Sequence, residues 1–211
     1  MRERRSAAPF LVLAVALAAV SFGSIFARLA DAAPLAIAAW RMGLAALVVI
    51  PAAFVGASRG GRLEMHPAVI AIGAGIFLAL HFGTWIASLD YTSIARSVLL
   101  VSTAPIWVAI FQFVSGRGAP ALRTTLALLL AACGVAVASA GRGWSGGLLT
   151  GDLLALAGAV AMAAYLLLSR KAQASLPFRR YLALAYGAAA AMLWLGVALS
   201  GTAAGGFNAT T

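Results

Sequence analysis

Apolar residues run along the chain in seven long stretches, roughly Pro9–Ala30, Pro34–Val55, Pro67–Leu89, Ser93–Val114, Ala121–Ala140, Asp152–Ser169 and Tyr181–Ser200. About 20 apolar residues in helical form cross the hydrocarbon of a bilayer. Hydrocarbon offers the backbone no hydrogen-bond partner, so runs this rich in Ala and Leu are predicted to be helices, which satisfy their own N–H and C=O groups. Pro34, Pro67 and Pro120 fall at run starts, where a missing N–H costs nothing. Short links with glycine clusters, "GASRGG" and "GRGWSGG", separate several runs. The pattern predicts an all-α protein: a polytopic integral membrane helical bundle of about seven transmembrane helices.

Polar residues inside these runs are the candidate chemistry. In "ALHFGTWIASLDYTS" the positions His81, Thr84, Trp85 and Ser88 are three, four and seven residues apart and share one helical face. Leu78, Phe82 and Ile86 fall on the opposite side, suited to lipid or to helix packing, and Asp90–Thr92 reads as a tight turn to the fourth run. A polar stripe in a membrane helix should face the bundle interior or a wet cavity. For His81 two readings stand: a cavity-lining side chain, or a packed histidine bonded to a neighbouring helix. Arg41 lies about 10 Å into the second run at 1.5 Å per residue. A charge there costs about 2.5–3.5 kcal/mol on insertion scales. It either snorkels to the headgroups or serves as an anion-binding or structural cation inside the bundle. In "VSTAP", Pro105 has no N–H and frees the Val101 carbonyl beside Ser102 and Thr103. The kink is structural or contacts substrate. Ser24, in a stripe with Ser21 and Arg28, and Tyr186 in the last run are further cavity candidates that serve equally as packing residues. Trp144 and Trp194, near run ends, fit interfacial anchoring.

Composition sharpens the class. Hydrophobic residues make up 64% of the 211 and charged residues 9%, against about 25% charged in a soluble domain. One water-soluble core cannot hide so much apolar chain. The net charge of +10 is a topology signal rather than a nucleic-acid footprint. With the N-terminus in the cytoplasm, the inside segments hold Arg2, Arg4, Arg5, Arg59, Arg62, Arg117, Arg123, Arg170, Lys171, Arg179 and Arg180, while the outside segments hold Arg28, Arg96 and Arg142. The basic start before the first run is that of a first membrane helix or, less simply, of a signal peptide. The lone Cys133 reads as a small packing residue. Asp31, Asp90, Asp152, Glu3 and Glu64 all lie near run ends, so a carboxylate proton relay has no carrier in mid-span and His81 is the one in-span group suited to that task. His66 and His81 differ in depth, which argues against a metal site. No phosphate-cradling glycine loop with a lysine is present, which argues against ATP-driven transport. No cofactor is expected.

The segments "PLAIAAWRMGLAALVV", "LHFGTWIASLDYTSIARSVLLVSTAPIWVAIF", "LALLLAACGVAVAS" and "GDLLALAGAVAMAAYLLLSRK" resemble the EamA-type drug/metabolite transporters. The resemblance implies a bacterial inner-membrane protein built from two inverted five-helix repeats. It also implies secondary transport, often export, of small metabolites, amino acids or drug-like solutes by alternating access. Tyr165 occupies a place where the family often has an aromatic lining the cavity. A weak internal repeat accords with this: "FGSIFARLADAAPLAIA" parallels "MAAYLLLSRKAQASLPFRRYLALA", and the five intervening spans turn the second copy upside down. The expected organisation is a cytoplasmic N-terminus (1–8), a first repeat (9–145) and a partial second repeat of two helices with an outside tail (146–211). The chain departs from the family in two respects. It stops at "SGTAAGGFNATT", where three further helices would follow, and Gly116 stands near the place of the usual acidic residue after the fourth helix. The expected partners are a small-molecule solute and the lipid bilayer, without nucleic acid. A homodimer or a complementing chain is a further expectation, and a non-transporting remnant or a membrane-embedded enzyme is the alternative. A seven-helix retinal protein is disfavoured because Lys171, the only lysine, lies in an inside loop.

Overall fold

The computed structural model describes residues 8–30, 32–54, 64–118, 120–140 and 149–205. The basic N-terminal residues, Asp31, the loop with Arg59 and Arg62, the segment with Arg142 and Trp144, and the tail beyond Gly205 lie outside the described residues. All regular structure among the described residues is helical: α1 (Ala8–Leu29), α2 (Pro34–Phe54), α3 (Met65–Tyr91), α4 (Ile94–Val101), α5 (Ala104–Val114), α6 (Leu122–Ala140), α7 (Leu149–Gln173) and α8 (Phe178–Ser200).

Six units are long and apolar enough to cross a membrane: α1, α2, α3, the pair α4–α5 taken together, α7 and α8. The fifth run of the sequence becomes α6, a helix of 19 residues. Its apolar part within the described residues, Leu122–Gly134, is shorter than a full span. The third run continues as helix through Asp90 and Tyr91, so the reversal into α4 takes only Thr92 and Ser93. Ser93 makes that economy possible. Its side chain accepts the Arg96 N–H at 3.2 Å and caps α4 at once. The fourth run breaks at Ser102 and Thr103, with Pro105 in the first turn of α5. The two hydroxyls bond back to the carbonyls of Val98 and Leu100, each at 2.6 Å.

Helix α3 is the hub. It packs along α7 and α8, and α2 packs on α8. The interior is made largely of alanine: Ala38, Ala39, Ala71, Ala74, Ala155, Ala159, Ala163, Ala185 and Ala189 are all fully buried. Helices dissolved in lipid gain nothing from burying apolar surface as such, so small side chains that let backbones approach become the adhesive. The closest approach is at Gly75, where an added Cβ would overlap the Ala185 carbonyl oxygen and stand 2.8 Å from the Ala188 Cβ. Helix α1 has few contacts, with α3 and α4, and Phe10, Leu13, Leu17, Phe22 and Phe26 remain exposed along it. That is the composition of a lipid-facing surface.

Polar fastenings gather at the end of the bundle where α3 stops and α7 starts. Arg96 of α4 holds Asp152 of α7 through both carboxylate oxygens, with Nε to Oδ1 at 2.7 Å. The Thr92 hydroxyl donates to the same carboxylate at 3.5 Å. Asp152 is buried in the first turn of α7, where the helix dipole favours a negative charge. Gly151 admits the α3–α4 corner, since a Cβ there would lie 2.8 Å from the Thr92 Cβ. Arg28, near the end of α1, donates to the carbonyls of Leu89 and Thr92. A hydroxyl pair, Ser88 with Ser97 at 2.6 Å, ties α3 to α4 beneath the corner.

Two outcomes follow. Gly75→Ala should destabilise the purified protein by about 1–3 kcal/mol, the usual cost of overpacking against backbone that cannot move away. Gly134→Ala, in the interior of α6 with open space around it, should instead stabilise by up to about 1 kcal/mol through helix propensity, and denaturant-induced unfolding in micelles reads both changes. Asp152→Asn should cost about 3 kcal/mol, the lower end of the range for breaking a buried pair, because 15% and 12% of the two side chains remain exposed. Thermal unfolding of the single variants and of Arg96→Ala/Asp152→Ala together would give the coupling directly, and a coupling near zero would disprove the fastening.

Candidate functional site

Arg41 leaves α2 and reaches across to α3. Its guanidinium carbon lies over the Phe82 ring, 4.6 Å from the centroid, and 5.6 Å from the centroid of Trp85. Both rings belong to α3 and sit within three residues of each other, so one helical turn supplies two aromatic neighbours to one cation. On the other flank is Gly23 of α1. A Cβ there would stand 3.0 Å from a terminal guanidinium nitrogen, so the glycine is what leaves room for the charge. Tyr186 of α8 is within electrostatic reach. A cleft of about 420 Å³ between α1 and α2 adjoins the guanidinium, walled by Ala19, Gly23, Phe26, Ala27 and Trp40 with Arg41 itself.

The energetics can be bounded. The charge costs about 2.5–3.5 kcal/mol at mid-helix. A cation over an aromatic face gains about 0.5–1 kcal/mol when exposed and about 2 or more when desolvated. Two rings therefore offset most of the cost of the charge. They do nothing for its hydrogen bonds. A guanidinium has five N–H donors, and among the described residues Arg41 has neither a hydrogen-bond acceptor nor a carboxylate partner. Trp85 repeats the shortage. It is 7% exposed, and its indole N–H is buried without a partner.

Trp85 is held in place by His81, whose ring stacks on it at 5.8 Å with 16° between planes. His81 is buried and donates from Nδ1 to the Gly158 carbonyl of α7 at 2.9 Å. The carbonyl can only accept, so that bond assigns the Nδ1 hydrogen. Gly158 is again a place of close approach, with the Thr84 hydroxyl 3.2 Å from where a Cβ would be. Thr84 itself donates to the Leu80 carbonyl at 2.8 Å.

The residues singled out in the sequence divide into three groups. Arg41, His81, Trp85 and Tyr186 come together around one point, with Thr84 one turn from Leu80 on the α7-facing side and Ser24, buried on α1, next to Gly23. Tyr165 of α7 and Tyr186 pack against the same apolar cluster as Met42, Trp85 and Leu193. Ser88 turns instead to Ser97. Ser102 and Pro105 are exposed and Thr103 half-buried at the α4–α5 kink, where no contact among the described residues ties them to Arg41. Phe82, expected on the opposite side of α3 from the polar stripe, forms the nearer of the two rings to the guanidinium. Gly23 and Gly158 carried no signal in the sequence beyond being small.

Residues 6–140, more than half of the 211 and running from α1 through α6, match the family described as EamA-like transporter family. No curated protein matches the chain, and no solved structure does. Apolar helices built to cross a bilayer, with a half-buried cation beside aromatic rings, thus coincide with the matched region, and the chain belongs to the EamA-like transporter family.

Proposed function

We propose that this membrane transporter-family protein moves small solutes bearing a carboxylate, anionic or zwitterionic, through a site at Arg41. Secondary or facilitative transport, as an exporter working by alternating access, is the mode that the family resemblance suggests. The observation that carries the proposal is two sets of donors unmet among the described residues: a guanidinium whose charge is offset by Phe82 and Trp85 but whose N–H groups have no acceptor there, and the indole N–H of Trp85, whose ring flanks it. A carboxylate supplies acceptors in the planar arrangement that a guanidinium fork fits. An aromatic floor and alanine walls favour a solute with an apolar part over a small inorganic anion.

The bacterial inner membrane, with the N-terminus in the cytoplasm, is the setting we infer. Arg117, Arg123, Arg170, Lys171, Arg179 and Arg180 all fall at the end of the bundle where α5 and α7 finish, and Arg28 and Arg96 at the other. The inverted-repeat reading pairs α1–α2 with α7–α8 and leaves α3 to bridge them, which accords with α3 packing on both α7 and α8.

Reconstituted protein tests the site. Arg41→Gln should reduce flux of carboxylate solutes by about tenfold to a hundredfold, the value of 1.5–3 kcal/mol for a hydrogen bond to a charged group. The corresponding neutral amides should be unaffected. Arg41→Lys, which keeps the charge but loses the fork, should fall between. Equal flux of acids and amides in the parent protein, or unchanged acid flux in Arg41→Gln, would refute the assignment.

A further inference from the structure

A second cleft, of about 410 Å³, lies between the C-terminal part of α2 and the first turn of α8. Val49, Ala52 and Ala53 wall it on α2, and Phe178 and Leu182 on α8, with Arg179 as its one charged residue. The gap is local. Farther along, the same two helices are close packed, and a Cβ on Gly43 would stand 2.8 Å from the Trp194 indole nitrogen. The cleft therefore lies toward the end of the bundle where α2 finishes and α8 starts. Its apolar walls run inward from that end and its cation sits at the mouth.

Charge at this end of the bundle is predominantly positive. Arg170 and Lys171 close α7, Arg179 and Arg180 open α8, and only the short connection 174–177 separates the two pairs. Arg117 and Arg123 share this end of the bundle, against Glu64 as the one carboxylate there among the described residues. Arg179 and Arg180 also make interactions within the chain. Basic pockets between membrane helices on the cation-rich side suit phospholipid headgroups of opposite charge. A water-soluble phosphate would meet the arginines but leave the apolar walls unfilled. A neutral lipid would fill the walls but bring no net negative charge to this cation-rich end.

We propose that the α2–α8 cleft is a binding site for an anionic phospholipid, with the phosphate on Arg179 and one acyl chain lying between Ala52 and Leu182. The site is separate from Arg41 and does not depend on what the protein transports.

Native mass spectrometry of the intact chain tests this. Protein released from detergent after exposure to phosphatidylglycerol should retain one molecule at collision energies that strip phosphatidylcholine of the same chain length. Arg179→Gln should reduce that retention at least fivefold, toward the phosphatidylcholine level. Ala52→Trp, placed on an exposed wall position, should abolish it by filling the cleft while every arginine remains. Arg117→Gln, a cation at the same end but outside the cleft, should leave retention as in the parent. Size-exclusion elution and helical circular dichroism establish that each variant is folded before it is scored. Equal retention of the two lipids, undiminished retention in Ala52→Trp, or an equal loss in Arg117→Gln and Arg179→Gln would each overturn the proposal, the last by showing only diffuse surface charge.

Discussion

Helices in hydrocarbon have no hydrophobic reason to prefer one another over lipid, so this bundle depends on how closely its backbones can approach. Alanine and glycine set that distance. The polar contacts then exploit it, and three of them have a glycine at the point of approach. Gly151 seats the corner that brings Thr92 and Arg96 onto Asp152. Gly158 offers its carbonyl to His81. Gly23 leaves space for the Arg41 guanidinium. Without those close approaches the same polar side chains would stand in lipid with nothing to reach. Packing by small residues and satisfaction of polar groups are thus one constraint met by one set of positions.

The helices were legible in the sequence because a run of twenty apolar residues has few other outcomes, and the Pro105 break was legible because a missing N–H is a local fact. The α3–α4 reversal is shorter than the sequence suggested because Ser93 caps the next helix directly, so Asp90 and Tyr91 stay helical. The fifth run is the weakest of the seven as a span. Leu122–Gly134 is apolar but short, and α6 has few contacts, the principal one with α4.

The site was less legible, for a definite reason. Helical periodicity separates two faces only when one of them points outward. Helix α3 is surrounded by α2, α7 and α8, so its polar stripe and its apolar stripe are both inside. Leu78 and Ile86, assigned to lipid or packing, are buried in the core, and Phe82 on the same side meets Arg41. Likewise Arg96 and Asp152 each looked like an ordinary charge at a run end. Their sequence separation of 56 hides a pairing that only the α3–α4 corner against α7 creates.

The contrast between Arg96 and Arg41 carries the chemistry. A carboxylate beside an arginine neutralises it and consumes its donors, and the result is a fastening: Arg96 with Asp152 joins α4 to α7. Aromatic rings beside an arginine stabilise the charge through their faces and consume no donor. Arg41 over Phe82 and Trp85 therefore remains a cation with its hydrogen-bonding capacity unspent among the described residues. A chain needing only to hold α2 against α3 would do so at lower cost with another leucine, since taking a charge partly out of water is expensive when the described residues offer it no acceptor. Under the proposed reading that expense has a use. The rings keep the empty site tolerable in the bilayer, and the unspent donors reserve the larger gain for a solute that brings its own acceptors.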